Sequence, residues 1–402
     1  MRVITAILSH GRLDPVKVAL LTDCYLPRLG GIEVQTHDLA AHLVARGHEV
    51  EVFTATPGSQ GQRHGVIEDV DGIPVHRMAI RLPWELPVNP LAPPEVRRRL
   101  QTGGFDVAHV HMGVVSPFAT DLAGVALGIG LPTAITWHCL MERSAPVFRA
   151  LGHARRWAER GAAVSAVSSI AAEDLRAVVG RSSPISVLPN GIDVDHWRRP
   201  MAGQASGYAA DTASAAASPA RPVEVVAAMR FAARKRPLAV LRVAHRARQL
   251  APADAAMRLT LFGDGPERRR LERFVERHDM GDWVSLPGRV DREELKERYW
   301  ASDVYLTPAR LEAFGIAALE ARTSGLPVVA RRDTGVGDFV VDGVNGLLGA
   351  DDDQLARNLA HLVTDHELRL RLCTHNRSVA PTQSWTEVAA LAEEEYRRAG
   401  AS

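Results

Sequence analysis

Apolar residues along the chain fall into short runs separated by stretches of helical spacing. Runs at 16–22 (VKVALLT), 49–54 (EVEVFT), 106–111, 132–138, 163–167 and 185–189 read as strands, several of them apolar enough to be buried on both faces of a parallel sheet. Between the first two, Leu39 and Leu43 share one helical face and Gly47 ends the helix. The uncharged run 122–137 is broken by Pro132 and several glycines, so it predicts a helix and then a strand. It falls short of the roughly 20 residues that a membrane span requires. After residue 222 the alternation resumes, with strands expected at 223–229, 259–262, 284–286, 303–307 and 326–330 and a helix over 316–323. Two doubly wound α/β domains follow, 16–198 and 223–383. Residues 199–222, rich in Ala, Ser and Gly, read as a linker or insertion, and 1–15 as a disordered extension or a mis-assigned start. The tail, 384–402, is an amphipathic helix opened by Ser384 with Glu387 three residues on, a capping box. Its apolar face could serve either domain.

Composition narrows this little. With 48 Lys and Arg against 47 Asp and Glu, the net charge of +1 gives no general pull toward nucleic acid. Cys24, Cys139 and Cys373 lie far apart and form no CxxC pair, which predicts neither a disulfide framework nor a zinc site. A cytoplasmic protein without a signal peptide is expected. Lysine occurs only as Lys17, Lys235 and Lys296, so a lysine inside a motif carries weight.

The chemistry concentrates in 308–325, PARLEAFGIAALEARTSG, where Glu312 and Glu320 flank a Phe314-Gly315 turn. A strand, loop and helix in this order set the helix N-terminus at the carboxyl edge of a sheet, where unpaired N–H groups and the positive dipole end favour an anion. Two carboxylates beside such a site suit a sugar nucleotide, one for a hexose and one for a ribose. By spacing alone they read more readily as ordinary charges on a solvated helix. Arg230 and Lys235, after the strand at 223–229, either grip a diphosphate from the other side or are ordinary loop charges. Gly30-Gly31 forms either a packing turn or a ligand loop, without the GxGxxG pattern. His138 ends its strand at the ligand edge, as a structural or a binding residue. His109 and His111 are expected on opposite faces of their strand, hence no metal pair. Arg97 to Arg99 and the helix around Arg149, Arg155, Arg156 and Arg160 read as solvated faces or as a rest for anionic lipid.

In this order the pieces resemble the retaining glycosyltransferases of family four, over roughly residues 16 to 398. The carriers are Gly30-Gly31 with GIExxxxxLAxxLxxRGHEV, the strand ending at His138, Pro189-Asn-Gly-Ile-Asp193, the Arg230 and Lys235 pair, Glu312 to Glu320 as the E-x7-E element, and Gly325-Leu-Pro-Val-Val329. The resemblance implies a GT-B fold, two Rossmann-like domains facing across a cleft with the C-terminal helix crossing back to the first. It implies that Glu320 binds the donor ribose, Glu312 lies near the donor hexose, and the backbone of Phe314, Gly315 and Ile316 meets sugar and diphosphate. Arg230 and Lys235 would neutralise the leaving diphosphate, Gly31 would approach it, His138 would hydrogen-bond the sugar, and Arg289 lies beside the nucleobase segment. Where relatives carry a Gly-Gly pair and Glu, this chain has Thr334-Gly-Val-Gly-Asp338. The expected reaction is metal-independent and cofactor-free transfer of a hexose from GDP-mannose or UDP-GlcNAc to a glycan, lipid or small-molecule hydroxyl, with the protein cytoplasmic or peripheral on the inner membrane face. A sugar-nucleotide epimerase, a phosphorylase and a non-catalytic binding module are the rival readings.

Overall fold

The structure is a computed structural model that describes residues 13–28, 30–81, 86–141, 145–181, 183–200 and 221–402. It divides into two compact units, Met1–Gly191 with Gln383–Ser402, and Ile192–Thr382. The first holds β1 (Lys17–Thr22), β2 (Glu49–Thr54), β3 (Val66–Val70), β4 (Ile73–Arg77), β5 (Val107–Met112), β6 (Thr133–Trp137), β7 (Ala163–Ala166) and β8 (Ile185–Val187). The second holds β9 (Val223–Ala228), β10 (Met257–Phe262), β11 (Val284–Gly288), β12 (Val304–Thr307), β13 (Val328–Arg331) and β14 (Gly346–Gly349).

The first sheet runs β3-β4-β2-β1-β5-β6-β7-β8 and is parallel except for β3. Alternate residues divide its core. Ala19, Leu21, Val110 and Ile135 pack with Phe118 and Leu122 of the helix Pro117–Gly128 on one face. Val18, Leu20 and Val107 pack with Leu39 and Leu43 of Gly31–Ala45 on the other. That second face also takes Trp385, Val388 and Tyr396 of the C-terminal helix Trp385–Ala399, which thereby belongs to this unit's core. Ser384 accepts the Glu387 N–H, as the capping box requires. A buried carboxylate, Glu393, fixes the helix by accepting from the Leu13 N–H (3.3 Å), Arg46 Nε (2.6 Å) and His48 Nε2 (3.1 Å). His48 Nδ1 in turn accepts the Val16 N–H, which leaves its proton on Nε2 for Glu393. Residues 1–12 of the expected disordered start lie outside the described residues, whereas Leu13 and Val16 are buried in this core.

Two findings depart from the sequence reading. The hairpin β3-β4 was not expected, because Val66 and Ile67 stay exposed on an edge and give no apolar run. Its mark was Asp71-Gly72, both at positive φ (54° and 81°), the backbone of a two-residue primed turn. His109 and His111 do not face opposite ways. Side chains alternate along a strand, so residues two apart share a face, and the two rings lie 4.2 Å apart between centroids.

The second sheet is wholly parallel in the order β11-β10-β9-β12-β13-β14. The helix Ile316–Thr323 follows β12 with the predicted bounds. Residues 201–220 of the expected linker lie outside the described residues.

Candidate functional site

A doubly wound sheet offers its ligand edge where the strand order reverses, because loops from the two central strands diverge there. In the second unit that point lies between β9 and β12. The loop after β9 carries Arg230 and Lys235, and the loop after β12 carries Glu312 and the Phe314-Gly315 turn. Lys235 Nζ donates to Glu312 Oε2 at 2.6 Å, with both side chains about one-fifth exposed. Two motifs 77 residues apart are thus one constellation. Arg236, which the sequence reading passed over, secures it: its guanidinium donates to Pro308 O at 2.9 Å and makes a two-pronged bond to Asp352 at 3.0 and 2.5 Å. Only the pairing across 116 residues distinguishes it from Lys235, so spacing held no signal for it.

Gly315 heads the helix Ile316–Thr323 at φ 98° and, being glycine, offers that N-terminus no side-chain cap of its own. A Cβ at Gly315 would come within 2.7 Å of Val336 Cγ2, so conformation and space both require glycine. Phe314 is buried against Phe339, and the Gly335 N–H donates to Glu312 O at 2.9 Å. The departing loop Thr334 to Asp338 is therefore fastened to the Glu312 motif. Tyr305 of β12 is buried and feels the charge of both acids. Burial raises its phenol pKa first, and the negative fields of Glu312 and Glu320 raise it further. Its hydroxyl donates to Ala228 O at 3.3 Å, tying β12 to the end of β9. Arg230 and Arg289 are exposed, each just past the carboxyl end of its strand, β9 and β11. Arg230 and Arg289 thus stand at this edge beside Lys235 and Arg236, both of which are paired.

In the first unit the order reverses between β1 and β5. Asp23, after β1, accepts from the Phe118 N–H at 3.0 Å and the Ala119 N–H at 3.4 Å, so it joins the two diverging loops. Burial lifts its pKa to about 6 despite these bonds and one from Ser116. Gly30 heads the helix Gly31–Ala45 with extended backbone (φ −167°). A Cβ there would meet Glu33 Oε2 at 2.3 Å, because the Glu33 carboxylate lies over the turn, 3.4 Å from Arg28 Nε. Pro189-Asn-Gly191 is clasped by Gln35, which accepts the Gly191 N–H at 2.8 Å and donates to its carbonyl at 3.0 Å. His138 follows β6 directly, with Nε2 2.9 Å from His111 Nδ1. Burial lowers its pKa to about 4, opposed by a hydrogen bond with Asn190. Among the described residues no group of three His, Cys, Asp or Glu could hold a metal ion, and no helix is long and apolar enough to cross a membrane.

Comparison with known proteins agrees with this anatomy. The model of Glycosyltransferase Family 4 matches residues 29–196, and that of Glycosyl transferases group 1 matches 213–379. A D-inositol 3-phosphate glycosyltransferase of Pseudarthrobacter chlorophenolicus is 28% identical over 400 residues, 92% of this chain and 90% of the relative. The phosphatidylinositol N-acetylglucosaminyltransferase gpi3 subunit of Schizosaccharomyces pombe is 24% identical over 398 residues, 94% and 79% of the two chains. Among solved structures, Anabaena HepE in complex with UDP and glucose superposes with a TM-score of 0.69 at 18% identity, covering 94% of this chain and 98% of its own. Sucrose-phosphate synthase of Thermosynechococcus elongatus gives 0.71 at 21% identity, covering 95% and 98%. Two parallel-sheet units, matched one after the other by the two halves of one enzyme family, place this chain among the group 1 glycosyltransferases of family four, with the GT-B fold.

Proposed function

We propose that the enzyme moves a hexose, with retention at the anomeric carbon and without a metal ion, from a nucleoside diphosphate sugar to an acceptor hydroxyl. One observation carries the reading: the Lys235–Glu312 pair at the β9/β12 reversal, beside a helix N-terminus headed by the left-handed Gly315. A diphosphate drawn to those N–H groups takes over the Lys235 ammonium as a partner, which frees Glu312 to accept from a sugar hydroxyl. Glu320, two turns along, accepts from the ribose. As the bond from C1 to the leaving oxygen breaks, Lys235, Arg230 and the helix dipole hold the growing negative charge, the work a divalent ion would otherwise do. The acceptor oxygen bonds to C1 from the face the diphosphate leaves, and its proton passes to a leaving-group oxygen. His138 hydrogen-bonds the transferred sugar.

GDP-mannose and UDP-GlcNAc are the donors proposed. The inositol-directed relatives and a neighbour holding UDP favour UDP-GlcNAc and an inositol-containing acceptor. Val115, Val147 and Leu151 are exposed in the first unit, in a chain that also carries Arg149 and Arg155, which suits a peripheral approach to anionic lipid. Donor hydrolysis and transfer by Lys235→Ala and Glu320→Ala test the site. Loss of 100-fold or more, on the order seen when one oxyanion donor is removed, is expected in kcat/KM, and wild-type kinetics in both variants would remove it. Activity is expected to survive EDTA; loss that magnesium or manganese restores refutes the metal-free account.

A further inference from the structure

Residues 23–28, which lead from β1 toward the Gly30-Gly31 turn, form neither strand nor helix, yet each carbonyl from Asp23 to Leu26 accepts a hydrogen bond. Three of the donors stand in one row. Thr22, Thr54 and Arg77 are partners in register at the carboxyl ends of β1, β2 and β4. Thr22 Oγ1 donates to Cys24 O at 3.1 Å, Thr54 Oγ1 to Asp23 O at 3.0 Å, and Arg77 Nη1 to Leu26 O at 2.7 Å. Tyr25 O accepts from the Arg28 N–H at 3.2 Å, and the Tyr25 N–H donates to Thr56 Oγ1 at 3.1 Å. The row is a floor of donors under the loop, and its outermost member comes from the hairpin β3-β4.

Arg77 differs from the two threonines in charge, and it is only 1% exposed. Its Nε donates to Glu68 Oε2 of β3 at 2.6 Å, which fixes the plane of the guanidinium, and Nη1 also reaches Thr56 O at 3.4 Å. A buried ion pair usually adds little stability over apolar residues of the same size, because desolvation cancels most of its Coulombic gain. What Arg77 adds is direction: a rigid fork of donors fastens the loop to two strands at once. The guanidinium also lies 6.0 Å from the centre of the Tyr25 ring. The same hairpin holds Tyr25 a second time. Its hydroxyl is 2.8 Å from His37 Nδ1, and His37 Nε2 is 3.2 Å from Asp71 Oδ2 at the hairpin's turn.

We propose that Arg77 is a positioning residue: through Leu26 O it sets the path on which the chain enters the Gly30-Gly31 turn, and the hairpin β3-β4 is the brace that carries it. The proposal rests on the reading that Gly31 approaches the leaving diphosphate. Hydrogen exchange of the full chain tests the brace, and hydrolysis of UDP-GlcNAc or GDP-mannose, whichever the wild type uses, tests the reading. In Arg77→Met the peptide carrying the Tyr25 and Arg28 amides is expected to exchange about tenfold faster, with peptides from β1 and β5 unchanged. Its kcat/KM is expected to fall about tenfold to a hundredfold, the range of one hydrogen bond from a charged group. Arg77→Lys keeps a charge against Glu68 but not the fork, and is expected to melt with the wild type while losing about fivefold or more. Glu68→Gln, which still accepts from Nε, is expected to keep kcat/KM within about threefold. Loop exchange at the wild-type rate in Arg77→Met, or faster exchange in β1 and β5 as well, overturns the positioning role. Faster loop exchange with wild-type kcat/KM overturns the approach of Gly31 to the diphosphate instead, so the two failures are distinguishable.

Discussion

Both units begin a helix with glycine at the point where their strand order reverses, yet the two turns differ in backbone and in what lies over them. At Gly315 the backbone is left-handed, with φ 98°, and the nearest atom to a Cβ there would be Val336 Cγ2. At Gly30 the chain's own Glu33 carboxylate lies over the turn, in space a single Cβ would contest. One device thus appears once with an apolar side chain over the turn and once with a carboxylate there. A glycine turn marks where backbone can come close to a ligand, and the neighbouring charges decide whether an anion is welcome.

The largest effect expected is at the Gly315 turn. Gly315→Ala combines a left-handed backbone, about 1–2 kcal/mol against a side chain, with a clash on Val336, and kcat/KM is expected to fall about 100-fold or more. Gly30→Ala needs no unusual backbone and has only to displace the end of a flexible side chain. Its expected loss is tenfold or less, roughly the effect of one hydrogen bond. Equal losses in the two variants, measured with thermal melts alongside, would erase the contrast between the turns.

Glu33→Gln sharpens it. Removing the charge over Gly30 is expected to strengthen pyrophosphate inhibition about threefold to tenfold at low salt, the effect fading as salt screens it. Inhibition constants that ignore both the substitution and the salt would show that the Gly30 turn receives no anion.

Acid should weaken the first unit in two stages. His138 titrates near 6.5 unfolded and near 4 folded, so the unfolded chain binds the extra proton and stability falls as pH drops through that window. Glu393 follows. Burial alone would raise its pKa, but bonds from Arg46, His48 and the Leu13 N–H hold it at about 2, so its contribution is present above about 4.5 and lost toward 2. Glu393→Gln is expected to lower stability at pH 7 by about 1–3 kcal/mol and to flatten the second stage of a melting-temperature profile. The smallest effect concerns lipid: Val115→Asp with Leu151→Asp is expected to reduce co-sedimentation with anionic liposomes about twofold to fivefold, and sedimentation blind to anionic lipid content would count against a peripheral site.

Local patterns made much of this enzyme legible. Strand and helix periods announced two α/β domains because buried parallel strands are apolar on both faces, and the helix Ile316–Thr323 was marked by its composition alone. The stretch from Glu312 to Glu320 was readable as strand, turn and helix because these are consecutive, so spacing in sequence is spacing along the candidate site. What depends on distant partners was not. Arg236 is distinguished from Lys235 only by Asp352, and His109 gains its partners from β6 and from a helix at the far end of the chain. The alternation of β5 could have placed His109 and His111 on one face, but only packing revealed that this face is covered by Tyr396. Sequence determines which face a side chain takes; the closing of sheet and helix decides what it meets there, because hydrogen bonds join atoms that are near in space whatever their separation along the chain.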